Sequence, residues 1–223
     1  MNIKPIESET IHNKVYEELL AAILSGRVPP GERITIEGIA TIMNVSLMPV
    51  RLALQKLEAG GFVTVGKNRR FTVSELTPEN LVELLEIRLL LECRAAETAC
   101  RIRSETSLKE LEKLHKRCTN APDEDTYLEA NRQFHAVIYR EARMPILEEI
   151  IGSLWNRASP YLHILLRSEQ EWESDKFNRH HQGMLDAMHE KDPVKICKWL
   201  TEDLTEAAKL VKGRLEKERG NKE

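Results

Sequence analysis

Residues 45–65 read VSLMPVRLALQKLEAGGFVTV, and this stretch decides the fold of the first third of the chain. Its apolar residues recur at three- and four-residue steps, as on the buried face of a helix: Val50, Ala53, Leu54 and Leu57. Ser46 is a favourable N-cap, Pro49 lies in the first turn, where a helix tolerates proline, and Gly60 ends the helix. The stretch therefore predicts a helix over 46–59 that leads directly into a strand.

Two shorter helices precede this one, and a β-hairpin follows it. Apolar residues at helical spacing predict helices over 12–24 and 36–43. The runs 62–65 and 71–73 are rich in β-branched and aromatic residues, and a basic turn separates them. Three helices and a hairpin are typical of a winged helix-turn-helix.

The chain changes character after Val73, because almost everything downstream has helical periodicity. Thr77 precedes Pro78 and Glu79, which is a typical helix start with Thr77 as the N-cap. Six helices are predicted in this part, over 78–103, 107–118, 123–142, 146–166, 169–189 and 193–218. The predicted fold class is mainly α, with a winged helix-turn-helix domain over 1–76 and an all-helical antiparallel bundle over 77–223.

Composition limits the classes of function. The 33 Lys and Arg residues and 36 Asp and Glu residues give a net charge of −3, so any contact with nucleic acid must be local. The segment 51–70 is such a local basic patch, with five basic residues against Glu58 alone. No run of about 18 apolar residues exists, and the four cysteines lack C-x-x-C spacing, so we expect a cytoplasmic protein without disulfides or cysteine zinc sites.

A helix that reads DNA presents side chains near its N-terminus to base edges. The candidates on the exposed face of the 46–59 helix are Ser46, Met48, Arg51 and Gln55. Arg can bind guanine through two hydrogen bonds and Gln can bind adenine, although either can simply hold a phosphate or be an ordinary surface residue. In the hairpin turn, Lys67, Arg69 and Arg70 are candidates for contacts to phosphate or the minor groove.

Three segments of this half resemble the GntR family of bacterial regulators. They read GRVPPGERI over 26–34, VSLMPVRLAL over 45–54 and LEAGGFV over 57–63. The resemblance implies that a homodimer binds operator DNA, with one recognition helix for each half-site, and that repression is the default mode.

Two departures from the family pattern affect the operator. Leu47 and Met48 stand where the family usually has Arg and Thr, which removes an arginine expected to contact base or phosphate. Arg70 replaces the glycine that is common at the tip of the hairpin. We therefore expect an operator sequence that is unusual for the family, with Leu47 among the residues that face DNA.

The helical half carries a candidate metal site. Asn131 and His135 are four residues apart and share a helix face, while His181 and Asp203 lie on two further helices. One carboxamide, two imidazoles and one carboxylate suit a divalent transition ion in the core of a bundle. From spacing alone the alternative is that each histidine is a packed or solvent-facing residue.

Three segments of this half resemble the FCD effector domain of FadR-type GntR regulators. They read LLEIRLLLE over 84–92, NRQFH over 131–135 and HQGMLDAM over 181–188. The resemblance implies a metal such as Zn, Ni or Mn, held by Asn131, His135, His181 and Asp203, the last in place of the usual histidine. Six helices beginning directly at Pro78 resemble the VanR-type subgroup.

A metal of this kind suits a small organic acid as effector. One carboxylate oxygen can bind the ion while an arginine takes the remaining charge. The candidates are Arg88, then Arg132 and Arg157, although Arg88 can instead pair with Glu92 one turn on. His180 is expected at the surface, and His163 and His189 are expected to have no role at the site.

Two other functions are compatible with these residues. A metal-dependent hydrolytic enzyme could use the His, Asn and Asp set to activate water, but no general base or nucleophile motif stands out. A purely structural DNA-binding protein would leave two thirds of the chain without a role. The sequence therefore favours a ligand-responsive transcription regulator.

Overall fold

The computed structural model describes residues 11–66, 70–166 and 174–220. The chain divides into two compact units, Met1–Leu76 and Thr77–Glu223. The first contains three helices and a small sheet, and the second contains six helices within its described residues. The predicted mainly α fold class is confirmed.

The first unit has the element order of a winged helix. Its elements are α1 (Ile11–Leu24), β1 (Arg33–Ile34), α2 (Ile36–Met43), α3 (Leu47–Ala59), β2 (Val63–Val65) and β3 (Phe71–Val73). The sheet is antiparallel in the order β1-β3-β2. The sequence did not predict β1, because a two-residue strand is too short to show alternation.

Local capping fixes the helix-turn-helix. Thr35 Oγ1 accepts a hydrogen bond from the Gly38 amide at 3.1 Å, and Asn44 ends α2 with a left-handed φ of 52°. Ser46 occupies the N-cap position of α3, as predicted, but its side chain makes no capping hydrogen bond.

No single helix among the described residues is long and apolar enough to cross a membrane. Helices α2 and α3 reach the required length and apolar content only as a pair, and that pair is bent by 118°.

The described residues of the second unit form a bundle of six long helices. They are α4 (Pro78–Ile102), α5 (Glu105–Thr119), α6 (Glu124–Glu141), α7 (Pro145–Leu166), α8 (Ser174–Glu190) and α9 (Pro193–Gly220). Helix α5 begins two residues earlier than predicted because Ser104 is its cap, and Ser104 Oγ accepts from the Ser107 amide at 3.1 Å. The predicted start of the fifth helix of this unit, at residue 169, lies outside the described residues.

The core of the bundle contains an unusual number of polar side chains. Helix α9 packs along both α4 and α8, and α5, α6 and α7 complete the core. Its apolar residues surround a buried polar set: Arg88, Glu92, Asn131, His135, His180, His181 and Asp203. Buried polar groups are costly unless they are paired or bind a ligand, so this set marks the candidate site of the unit.

Candidate functional site

Helix α3 presents one buried and one exposed face. Val50, Ala53, Leu54 and Leu57 are completely buried, as the periodicity predicted. The predicted DNA-facing residues are all exposed: Ser46, Leu47, Met48, Arg51 and Gln55. Leu47 is 46% exposed and Met48 61%, so the start of α3 offers apolar as well as polar groups to a partner.

Sequence reasoning missed two further apolar residues on this unit. Ile42 on α2 is 80% exposed and Leu52 on α3 is 42% exposed. The spacing of Leu52 was the available signal, because it falls between the core positions of α3. Both belong to helices of the helix-turn-helix and add to its exposed apolar residues.

The hairpin places Arg70 at the surface. The Gly66 amide donates to the Arg70 carbonyl at 2.9 Å, and Val65 pairs with Phe71 in the register of β2 and β3. Arg70 is exposed. Lys67 and Arg69, the other two predicted wing residues, lie outside the described residues.

The structure brings three of the four predicted metal ligands together. His135 on α6, His181 on α8 and Asp203 on α9 each offer a ligand atom, and these atoms lie within 4.8 Å of one another. All three side chains are buried. Asn131 precedes His135 by one turn of α6 and is buried as well.

The donor atoms of this cluster fit a transition-metal ion. Among the described residues, neither ring nitrogen of His181 has a hydrogen-bond partner, and His135 Nε2 lies 3.4 Å from Asp203 Oδ2 without hydrogen-bond geometry. Burial, above all, lowers the pKa of His181 to about 3, so its imidazole is neutral and can donate a lone pair. Burial alone would raise the pKa of Asp203, but the adjacent His135 and His180 hold it below its usual range, so the carboxylate stays charged.

A chain of hydrogen bonds orients His135. Its Nδ1 lies 3.1 Å from the Tyr139 hydroxyl, which donates to Glu92 Oε2, and Glu92 Oε1 accepts from Arg88 Nε at 2.6 Å. Burial and the charge of Glu92 raise the pKa of Tyr139 strongly, so its only proton stays on oxygen and goes to Glu92. In the neutral tautomer that this chain of hydrogen bonds selects, His135 donates Nδ1–H to Tyr139 and its Nε2 lone pair lies on the side of Asp203.

The predicted surface position of His180 is wrong. The side chain is 1% exposed, with Nδ1 3.5 Å from Asp203 Oδ1 and Nε2 3.3 Å from Glu206 Oε2. Helix α8 packs against both α5 and α9, so its buried face is wide enough to include two consecutive histidines. Glu206 and Tyr139 were also missed, although each is within one turn of a predicted ligand, at spacings of three and four residues.

The three candidate arginines lie in different surroundings. Arg88 is buried and pairs with Glu92, which is the structural alternative that the sequence left open. Its Nη2 nevertheless finds no hydrogen-bond partner in the part of the chain that the structure describes, and the residue lines a narrow crevice of about 20 Å³ between α4, α7 and α9. Arg132 is exposed, donates to Asn156 Oδ1 at 2.8 Å and lines a separate cleft of about 420 Å³, while Arg157 is exposed on α7.

The two remaining histidines have different outcomes. His189 is exposed and its Nε2 lies 3.1 Å from Glu112 Oε1, away from the three-residue cluster. The side chain of His163 lies outside the described residues.

Two family models match the chain, one in each unit. Residues 11–73 match the model described as "Bacterial regulatory proteins, gntR family", and residues 83–206 match the FCD domain. The second match alone covers more than half of the chain. Both are domains of transcription regulators, so the hydrolytic enzyme considered from the sequence is not supported.

Relatives and solved structures agree with these matches. The chain is 31% identical to the HTH-type transcriptional regulator McbR of Escherichia coli, over 80% of this chain and 82% of that protein. It is 26% identical to the gluconate operon transcriptional repressor of Bacillus subtilis, over 80% and 76% of the two chains. The structure of E. coli McbR/YncC superposes with a TM-score of 0.80 at 28% identity, covering 93% of this chain and 99% of that one. The protein is therefore a transcription regulator and belongs to the GntR family, in the FadR-type subfamily whose C-terminal half is an FCD domain.

Proposed function

We propose that the protein is a homodimeric repressor that binds a palindromic operator and leaves it when a small carboxylic acid binds in the FCD unit. The observation that carries the proposal is the buried cluster of His135, His181 and Asp203 with its unpaired ring nitrogens. A regulator has no structural need for such a cluster, since buried polar atoms without partners cost stability. A ligand that satisfies these atoms gives the cluster its role.

On the DNA side, α3 is the recognition helix. Arg51 binds guanine or phosphate, Gln55 binds adenine, and Ser46 reaches the backbone near the N-terminus of α3. Leu47 and Met48, being exposed and apolar, suit the methyl groups of thymine. In the wing, the groups that contact phosphate or the minor groove are Lys67, Arg69 and Arg70.

In the FCD unit, Asn131, His135, His181 and Asp203 hold a divalent ion such as Zn, Ni or Mn. Neutral imidazoles and a charged carboxylate are the donors such ions prefer, and the Tyr139–Glu92 chain fixes the tautomer that His135 needs. When bound, the ion would supply a positive charge beside the buried carboxylate of Asp203. That charge selects a carboxylate over a neutral ligand.

Arg88 is the arginine we assign to the effector. Its Nε is committed to Glu92, but Nη2 is buried and unpaired, which leaves one donor for a second acceptor. Arg132 remains a second candidate, because its cleft reaches Tyr139 and Trp155, whose rings lie next to His135. For Arg157, the only observation that supports a contact with the effector is its exposed position on α7.

Membership of the family supports the proposal of repression by a dimer. A relative of this chain is named as the repressor of the gluconate operon, and a palindromic operator requires two recognition helices. The effector acts by linkage between its own binding and DNA binding. It binds more tightly to the dimer arrangement that has low affinity for operator, and the size of this preference sets how much the operator affinity falls.

A thermal-shift screen of small carboxylic acids tests the effector proposal. With Zn, Ni or Mn present, we expect one class of acid to raise the melting temperature, because a ligand of the folded state stabilises it by about 2.7 kcal/mol at a hundred times its Kd. Without added metal the same acid should give a smaller shift, and neutral amides of the acid should give none. A shift that is equal with and without metal, or equal for acid and amide, would contradict the proposed site.

A further inference from the structure

Two cysteines face each other where α4 packs along α9. Cys93 Sγ lies 3.9 Å from the Cys197 carbonyl oxygen, and Cys197 Sγ lies 3.4 Å from the Cys93 carbonyl oxygen. The two residues are 104 positions apart in the sequence, so only the packing of the two helices brings them together. Both are half-buried, whereas the other two cysteines of the chain are buried.

The surroundings give the two thiols different characters. A hydrogen bond from the Cys197 side chain lowers the pKa of Cys93 to about 7, with the Thr201 hydroxyl 3.6 Å from Cys93 Sγ in support. The same contact with Cys93, then burial and the nearby Glu97, raise the pKa of Cys197. Cys93 is thus the more nucleophilic thiol, and Cys197 is a protonated neighbour within reach of it.

The other cysteines offer a contrast within the same unit. Burial raises the pKa of Cys100 to about 11 and that of Cys118 to about 12. Neither is exposed to solvent, and neither has a second cysteine among its hydrogen-bond partners. They are the inert thiols against which the pair can be compared.

We propose that Cys93 and Cys197 form a reversible disulfide between α4 and α9 when the protein meets hydrogen peroxide. Cys93 attacks one peroxide oxygen, the O–O bond breaks, and a sulfenic acid and water result. The Cys197 sulfur then attacks the Cys93 sulfur and expels the sulfenic oxygen, which leaves as water with the Cys197 proton. Overall two thiols are oxidised to a disulfide and one peroxide is reduced to two waters.

The cross-link would join two of the helices that carry buried polar residues, α4 with Glu92 and α9 with Asp203. Cys93 follows Glu92 directly on α4, and Cys197 lies six residues before Asp203 on α9. The bond would close a long loop, so the oxidised protein should be the more resistant to unfolding. The disulfide is a modification of the FCD unit that does not depend on the proposed effector or metal.

Peroxide oxidation of the purified full-length protein tests this proposal. We expect the four free thiols to fall to two, the intact mass to fall by two hydrogen atoms, and peptide mapping to recover the segments around Cys93 and Cys197 joined by a bond that dithiothreitol cleaves. The melting temperature of the oxidised form should rise by several degrees over the reduced form. The Cys93→Ser variant should keep all its remaining thiols, and Cys197→Ser should stop at a sulfenic acid that dimedone traps.

A variant with Cys100→Ala and Cys118→Ala is the matched control, and it should form the disulfide as the unaltered chain does. Any of three results would overturn the proposal: all four thiols survive peroxide, a disulfide still forms in Cys93→Ser, or the only disulfides found join two chains.

Discussion

A variant with both His135→Ala and His181→Ala is expected to purify without a divalent ion, where the unaltered chain should retain one for each subunit. These two side chains supply both imidazole donors of the buried cluster, and neither has a strong alternative partner for the donor nitrogen. Losing a group that merely orients a metal ligand costs about 10–100-fold in affinity, so losing two ligands should abolish uptake at micromolar metal. Elemental analysis after dialysis against Zn, Ni or Mn measures the result.

Two controls separate metal loss from damage to the fold. His189→Ala removes an exposed histidine that lies near Glu112, so this variant should keep its ion. The paired changes His135→Gln and His181→Gln fill more of the space than alanine and should also lose the ion while the helical content is kept. Stoichiometric metal in either double variant would show that the ion is bound elsewhere.

The Arg51→Ala variant is expected to bind operator about 5–150-fold more weakly, the range that corresponds to about 1–3 kcal/mol for one bidentate contact to guanine. Arg51 is exposed on α3, and the opposite face of the helix is held in place by buried residues such as Val50 and Leu54. The substitution should therefore leave the fold unchanged. Titration of a labelled operator at fixed salt gives the affinity.

The salt dependence tells which partner Arg51 has. If it reads a base, its loss should relax sequence preference; if it holds a phosphate, its loss should weaken all sequences alike and lower the salt slope by about one. Arg101→Ala, at an exposed position of α4, is the control and should bind operator normally. Operator affinity unchanged in Arg51→Ala would remove α3 from the proposed interface.

The fold was predictable wherever periodicity was long enough to read. The α3 core positions are spaced as a helix requires, and the structure buries all four of them. Helix starts were harder, because Ser104 and Ser107 are both good caps and only the Ser104 Oγ contact to the Ser107 amide decides between them. Strand β1 has two residues and is defined by pairing with β3, which is a long-range contact.

The metal cluster was partly predictable for a related reason. A spacing of four residues on one helix predicts a shared face, and the family pattern supplied His181 and Asp203 on other helices. Helix α8 packs against both α5 and α9, and this packing decides which of its faces are buried. The sequence of α8 alone does not reveal those neighbours. His180 was therefore assigned to the surface, although it lies beside Asp203.

We expect one ligand site in the FCD unit to control operator binding by the other unit. The most direct measurement is the operator Kd of the metal-loaded protein with and without the acid identified by thermal shift. We predict a rise of about 5–150-fold, the usual size of coupling between two sites, and no change in the variant with both His135→Ala and His181→Ala. An operator Kd that the acid leaves unchanged, or changes equally in that variant, would contradict the account.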